Sequence, residues 1–127
     1  MSAERAGPEG QRMPSGPEVD DAVRRRLAAM IGDTGAEEVI DAYLDDAPKR
    51  LADFRRGLDA NDLELARRSA HTLKSTAGSL GARRFAEFCE EVEASARVGD
   101  AARLREFLPQ LEAQLARVLE ELRRGSG

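Results

Sequence analysis

The chain has 127 residues, of which 41% are hydrophobic and 35% charged, and this is the size of one domain. A net charge of −4 argues against a general nucleic-acid binder, and a single cysteine excludes a framework of internal disulfides. No apolar run approaches the ~20 residues of a membrane-spanning helix, and no signal peptide begins the chain, so a soluble, cytoplasmic protein is expected.

The N-terminal stretch, residues 1–16, mixes glycine and proline with polar residues and has no apolar period, so it is predicted to be a disordered tail. A single domain is predicted over residues 17–124. A short leading helix is expected to begin near Pro17, because proline is favoured at the first helical position. Its apolar side would consist of Val19, Val23, Leu27, Met30 and Ile31.

The segment 32–35 contains two glycines and is predicted to break this helix. Thr34 and Glu37 have the spacing of a capping box, which predicts the start of a second helix. Its apolar register continues across Pro48, so one bent helix is expected, not two. Its apolar residues are Ile40, Tyr43, Leu44, Ala47, Leu51, Phe54 and Leu58.

The third predicted helix carries His71, the only histidine of the chain. Asn61 is its expected N-cap with Glu64 at N3, and Gly81 is the expected C′ residue. At roughly 100° per residue, His71 points away from the apolar seam and toward solvent. The seam consists of Leu63, Ala66, Ala70, Leu73, Ala77 and Leu80.

The fourth predicted helix begins just after Gly81. Cys89 lies on its apolar stripe and is expected to be a small buried residue, not a reactive thiol. The glutamates at positions 87, 90, 91 and 93 are interpreted as a solvated acidic face, because one histidine and no Glu-x-x-His pair do not support a dimetal site. The stripe consists of Phe85, Cys89, Val92 and Ala96, with Phe88 adding bulk.

The last helix follows a turn at 98–100 and has an apolar period that runs through Pro109 to Leu122, before a frayed end from Arg124. No strand-like alternation occurs in the sequence. The chain is therefore predicted to be all-α, an antiparallel up-down four-helix bundle with a short extra N-terminal helix.

The candidate site surrounds His71. Lys74 and Gly78 lie one and two turns further along the same side of the helix, and Ser75 lies beside them. The Lys74 ammonium could hold an anion near the imidazole, or it could be a solvated surface lysine. A helical glycine costs roughly 1 kcal/mol relative to alanine. Gly78 therefore either leaves clearance for another molecule or is tolerated because it lies in the last turn.

Two arginines, Arg67 and Arg68, lie one turn before His71. They could raise the local positive potential for a phosphoryl group or for an acidic partner, or they could be ordinary solvated residues. The residues alone leave both interpretations open.

The stretch His71-Thr72-Leu73-Lys74-Ser75, followed by Gly78 and then Leu80-Gly81-Ala82, resembles the signature of histidine-containing phosphotransfer (HPt) domains. The resemblance extends from about Pro17 to Arg124. Ser75 stands where many members have glycine, and serine is a common variant there.

The resemblance implies that His71 accepts a phosphoryl group from a receiver-domain aspartate and passes it to another. Lys74 would stabilise the phosphoryl oxygens and Gly78 would leave room for the receiver, with Arg67, Arg68 and Ser75 as further partner contacts. The chain has no nucleotide-binding loop. It is thus expected to be a phosphotransfer intermediate without kinase or hydrolase activity or a cofactor of its own, and the receiver would supply Mg²⁺.

Other hypotheses remain. A helical adaptor would bind receiver or kinase domains through the same face without being phosphorylated. A hydrolase or metalloenzyme would need a second acid, base or metal ligand near His71, and the sequence offers no convincing one. The chain could also be a module of a hybrid or chemotaxis-type kinase, although Met1 favours a free-standing protein. A monomer is expected, because four helices can cover one another's seams.

Overall fold

The computed structural model describes residues 17–126, so the predicted tail, residues 1–16, lies outside the described part. These residues form four helices and no strand. The helices are α1 (Asp21–Asp59), α2 (Leu63–Ser79), α3 (Arg83–Arg97) and α4 (Ala101–Ser126). Each packs against its neighbour in the chain and α4 also packs against α1, which closes the bundle. The prediction of an all-α four-helix bundle is confirmed.

The predicted leading helix and second helix are continuous except at one residue. Gly32 has φ 85° and ψ 161°, and it is the position in α1 with non-helical angles. Thr34 therefore lies within helical backbone, and the predicted capping box at a helix start is wrong. Glycine adopts a positive φ without a Cβ penalty, so the break needs one residue only. Met30 and Ile31 precede this break and are 79% and 46% exposed, so their predicted burial is also wrong.

The start of α1 also differs from the prediction. The helix begins at Asp21, and the carboxylate of Asp20 accepts the N–H of Ala22 at 2.9 Å. Pro17 is thus not the first helical residue. An aspartate side chain satisfies an otherwise unpaired N–H at the helix N-terminus, and a proline there cannot do so.

The core follows the predicted apolar registers. Pro48 lies inside α1 and Pro109 inside α4, as expected from the periods that continue across them. Cys89 is buried as predicted, and burial raises the pKa of its thiol. At the other end of the chain, α4 is helical to Ser126, beyond the predicted fraying from Arg124. The seam residues of α2 and its C-cap that are at most 1% exposed are Ala66, Ala70, Leu73, Ala77 and Leu80.

The connection from α2 to α3 is a tight Schellman turn. Gly81 has φ 90°, its N–H donates to the Gly78 carbonyl at 3.2 Å, and the Ala82 N–H donates to the Ala77 carbonyl at 2.9 Å. The predicted role of Gly81 as the C′ residue is confirmed.

The connection from α1 to α2 corrects the predicted N-cap. Asn61 has φ 54°, which is the left-handed conformation of the residue that ends α1. It therefore cannot also cap α2. The next residue takes that role, because the Asp62 carboxylate accepts the N–H of Leu65 at 3.1 Å. Glu64 is thereby the second residue of α2 and not the third.

The segment before α1 packs on the turn between α2 and α3. The Asp20 N–H donates to the Gly81 carbonyl at 2.9 Å, and the Glu121 carboxylate on α4 accepts the N–H groups of Glu18 and Val19 at 2.8 and 2.9 Å. A Cβ at position 81 would lie 2.8 Å from the Asp20 carbonyl oxygen. These contacts fix the leading part of α1 beside the C-terminal end of α2, which borders the candidate site.

Candidate functional site

His71 lies in the middle of α2, on the side that faces α3. Its side chain is 55% exposed, and its Nδ1 atom lies 3.1 Å from Oε2 of Glu93 on α3. An ionised carboxylate accepts hydrogen bonds and donates none, so Nδ1 carries the proton in this contact. In the neutral form of the ring, the other nitrogen, Nε2, then carries the lone pair.

Glu93 is the buried centre of the site, with a side chain only 3% exposed. Burial pushes its pKa upward, but hydrogen bonds and charge from Lys74 and His71 outweigh burial and hold the pKa below its usual value. Glu93 is therefore a carboxylate at neutral pH. Its basic partners are His71 Nδ1 at 3.1 Å, Lys74 Nζ at 2.9 Å, Arg97 Nη2 at 3.1 Å and Arg67 Nη1 at 3.5 Å.

This burial corrects the prediction of a uniformly solvated acidic face. Glu87, Glu90 and Glu91 are exposed as expected, but Glu93 is not. The sequence contains the signal, because position 93 lies four residues after Cys89 and three before Ala96, both on the buried stripe of α3. A carboxylate at such a position needs cationic partners, and α2 supplies Lys74 and Arg67, with the Nδ1–H of His71 as a further donor.

Lys74 lies one turn after His71 and binds two carboxylates. Its Nζ atom is 2.7 Å from Oε1 of Glu90 and 2.9 Å from Oε1 of Glu93. The hydrogen bonds that Lys74 donates to Glu90 and, second in effect, to Glu93 raise the pKa of Lys74, so the ammonium is charged. An ammonium has three N–H donors, and the two carboxylates leave one for a further acceptor.

Gly78 and Ser75 are exposed on the same face of α2. A Cβ at position 78 would meet only the Cβ of Ala86, at an ordinary 3.9 Å. Packing within the described residues therefore does not require glycine there. Gly78 instead lines a shallow groove of about 330 Å³ between α2, α3 and the leading part of α1. The groove is lined by Val23, Lys74, Gly78, Gly81, Ala86 and Glu90, among others.

The two arginines that precede His71 have different environments. Arg67 is bound on both sides, to Glu64 at 2.7 Å and to Glu93 at 3.5 Å. It therefore belongs to the network around Glu93. Arg68 is 60% exposed and has a looser contact of 3.6 Å with Glu64, so its guanidinium remains at the surface.

Within residues 17–126, no group of three or more histidine, cysteine or acidic side chains is arranged to hold a metal ion. In the same part of the chain, none of the helices combines the length and the apolar character needed to cross a bilayer.

The profile of the Hpt domain matches residues 38–124, which is more than half of the chain. The chain therefore belongs to the Hpt domain family, as its sequence signature indicated, and is a histidine phosphotransfer protein. Proteins of this family generally interact with receiver domains and histidine kinases.

Among solved structures, the chain is similar to histidine-containing phosphotransfer protein B (HptB) from Pseudomonas aeruginosa PAO1. The two are 29% identical, with a TM-score of 0.81 over 88% of this chain and 96% of that one. A comparison with curated proteins gives no match.

Proposed function

We propose that His71 accepts a phosphoryl group from the aspartate of one receiver domain and passes it to the aspartate of another. The observation that carries this proposal is the exposed imidazole of His71 with its Nδ1 held at 3.1 Å by the buried Glu93 carboxylate. With its proton on Nδ1, the ring has Nε2 as the nucleophile, on the exposed part of the side chain.

In the forward step, the Nε2 lone pair attacks the phosphorus of an aspartyl phosphate. The N–P bond forms as the acyl O–P bond breaks, and the aspartate carboxylate is the leaving group. The Nδ1 proton stays on the ring, so phosphohistidine forms as a cationic imidazolium, and the negative Glu93 stabilises that charge. Transfer to the second receiver reverses these bond changes.

Phosphoryl transfer depends mainly on position and on neutralisation of charge. Lys74 is proposed to donate its remaining N–H to a phosphoryl oxygen, next to the position that the group would take on His71. Arg68, Ser75 and Gly78 would contact the receiver. Arg67 would act on that contact through the network around Glu93. The partner would supply Mg²⁺ and the acceptor aspartate.

We also propose that the protein is a cytoplasmic monomer, that it is itself phosphorylated, and that it has no kinase or hydrolase activity. The proposed domain consists of residues 17–124. The bundle supports the monomer, because α1 and α4 pack against each other and enclose the seams of all four helices.

The test is a two-step transfer with purified proteins. A receiver domain carrying a labelled phosphoryl group is mixed with this protein, and a second receiver is added after separation. We expect the label to move to this protein as an acid-labile, base-stable group and then to the second receiver. If the folded protein binds receivers but takes label neither from a panel of them nor from a phosphorylated kinase domain, the chain is an adaptor and the proposal is wrong.

Replacing Gly78 by alanine separates the two explanations for this glycine. Because a Cβ fits at 3.9 Å from Ala86, Gly78→Ala is expected to stabilise the fold by up to about 1 kcal/mol in denaturant unfolding. If Gly78 provides clearance, the same variant will transfer phosphoryl groups more slowly despite its greater stability. An unchanged transfer rate would favour the explanation that glycine is merely tolerated in the last turn.

A further inference from the structure

The Lys74 ammonium is shared by two carboxylates of different kinds. Glu93 is buried, and its second oxygen binds His71. Glu90 is 57% exposed and holds Lys74 from the solvent side, at 2.7 Å compared with 2.9 Å for Glu93. The shorter of the two contacts is thus made by the carboxylate that has no bond to the imidazole.

We propose that Glu90 limits how much phosphoryl group His71 retains, by competing with the phosphoryl oxygens for Lys74. This inference rests on the proposed function of His71. A phosphoryl group carries about two negative charges at neutral pH. When it forms on His71, the single positive charge of Lys74 serves both the phosphoryl oxygens and Glu90, so the attraction between Lys74 and Glu90 is weakened. This cost arises only in the phosphorylated form.

Glu93 affects the phosphorylated form in the opposite direction. Its charge is shared with Arg97 at 3.1 Å and Arg67 at 3.5 Å, and it stabilises the imidazolium of phosphohistidine directly. Within residues 17–126, Lys74 is the basic side chain that pairs with Glu90. Glu93 therefore favours the phosphorylated form, whereas Glu90 disfavours it and returns the group to the receiver more readily.

The equilibrium constant of transfer measures this effect without interference from docking. Contacts between the two proteins exist only in the complex, so they change rates but cancel between the free reactants and the free products. The equilibrium constant with one receiver therefore reports the free energies of the phosphorylated and unphosphorylated forms alone.

The experiment compares Glu90→Gln with Glu91→Gln. The second is a matched control, because Glu91 is an exposed neighbour on α3 whose charge change is identical and which makes no salt bridge to Lys74 in the described structure. We expect Glu90→Gln to shift the equilibrium about two- to fivefold toward the phosphorylated form of this protein, the range of an exposed ion pair. Glu91→Gln should leave it unchanged.

The Lys74→Gln background tests whether the effect passes through Lys74. There, Glu90→Gln should lose most of its shift, as a double-mutant cycle between interacting residues requires. An unchanged equilibrium for Glu90→Gln, a shift toward the receiver, or an equal shift in the Lys74→Gln background would each overturn the inference. If wild type takes up phosphoryl groups and only the Glu90 effect is absent, the proposed function stands; if wild type takes up none, both fail.

Discussion

Replacing His71 by glutamine is expected to abolish phosphoryl uptake from receiver domains while leaving the fold intact. His71 is the only histidine of the chain, so no second imidazole can replace it. Its side chain is 55% exposed and contributes no core packing. Glutamine keeps a donor for the hydrogen bond to Glu93, so the free energy of unfolding should change by less than about 0.5 kcal/mol.

Two measurements on His71→Gln check this expectation, namely label transfer from a phosphorylated receiver and denaturant unfolding. Glu91→Gln is the control, since it changes an exposed side chain of α3 outside the site and should transfer at the wild-type rate. Labelling of His71→Gln at a rate comparable to that of wild type would place the phosphoryl group on another residue. It would contradict the assignment of His71 as the acceptor.

Replacing Glu93 by glutamine is expected to slow transfer by about 10- to 100-fold, by analogy with the loss of a carboxylate that orients a metal-binding histidine. The change is small in shape, but one of the two oxygens becomes an NH₂ group. Glu93 accepts from His71 through Oε2 and from Lys74 through Oε1. The two donors reach different oxygens, and in glutamine one of these positions holds an NH₂ group that accepts no hydrogen bond, so one of the two contacts is lost.

Comparison with Glu90→Gln shows whether an effect of Glu93→Gln comes from the loss of a charge or from the loss of the contact that orients His71. Both changes remove one negative charge from α3 next to Lys74, yet we expect Glu93→Gln to slow transfer and Glu90→Gln to favour the phosphorylated form. Transfer at the wild-type rate in Glu93→Gln would mean that the orientation of His71 does not depend on this carboxylate.

Acid unfolding provides an independent check on Glu93. The folded state lowers its pKa below the usual 4.5, so the folded protein binds fewer protons than the unfolded one in that range. The stabilisation is therefore complete above the unfolded pKa and is lost as the pH falls through the lowered folded value. Glu93→Gln should show a weaker loss of stability on acidification, whereas an identical pH dependence would contradict the ionised, paired state of Glu93.

The bundle could be predicted from the sequence because its seams are regular. The apolar period of α2 identified both the buried residues and the outward direction of His71, and Gly81 marked the end of that helix. The helix starts were predicted less well. Asn61 and Asp62 are both good N-caps in isolation, and only the left-handed turn that ends α1 assigns the cap to Asp62.

The part of the site that lies on α2 could be predicted from the sequence, whereas the contribution of α3 could not. His71, Lys74 and Gly78 share one helix, so their relative positions follow from the period alone. Glu93 is contributed by α3, and its contact with His71 depends on how the two helices pack. The spacing of position 93 from Cys89 and Ala96 fits the buried stripe, but the three exposed glutamates nearby favour the interpretation of all four as a solvated face. Only the tertiary contacts with α2 distinguish it.

The most direct test of the proposed function identifies the nitrogen that carries the phosphoryl group. The protein, labelled with ¹⁵N, is phosphorylated by a receiver domain and examined by ³¹P and ¹⁵N NMR. We predict one phosphoryl group, bound to Nε2 of His71, with the proton retained on Nδ1 beside Glu93. A phosphoryl group on Nδ1 or on any other residue, or the absence of phosphorylation, would contradict the proposed role of His71.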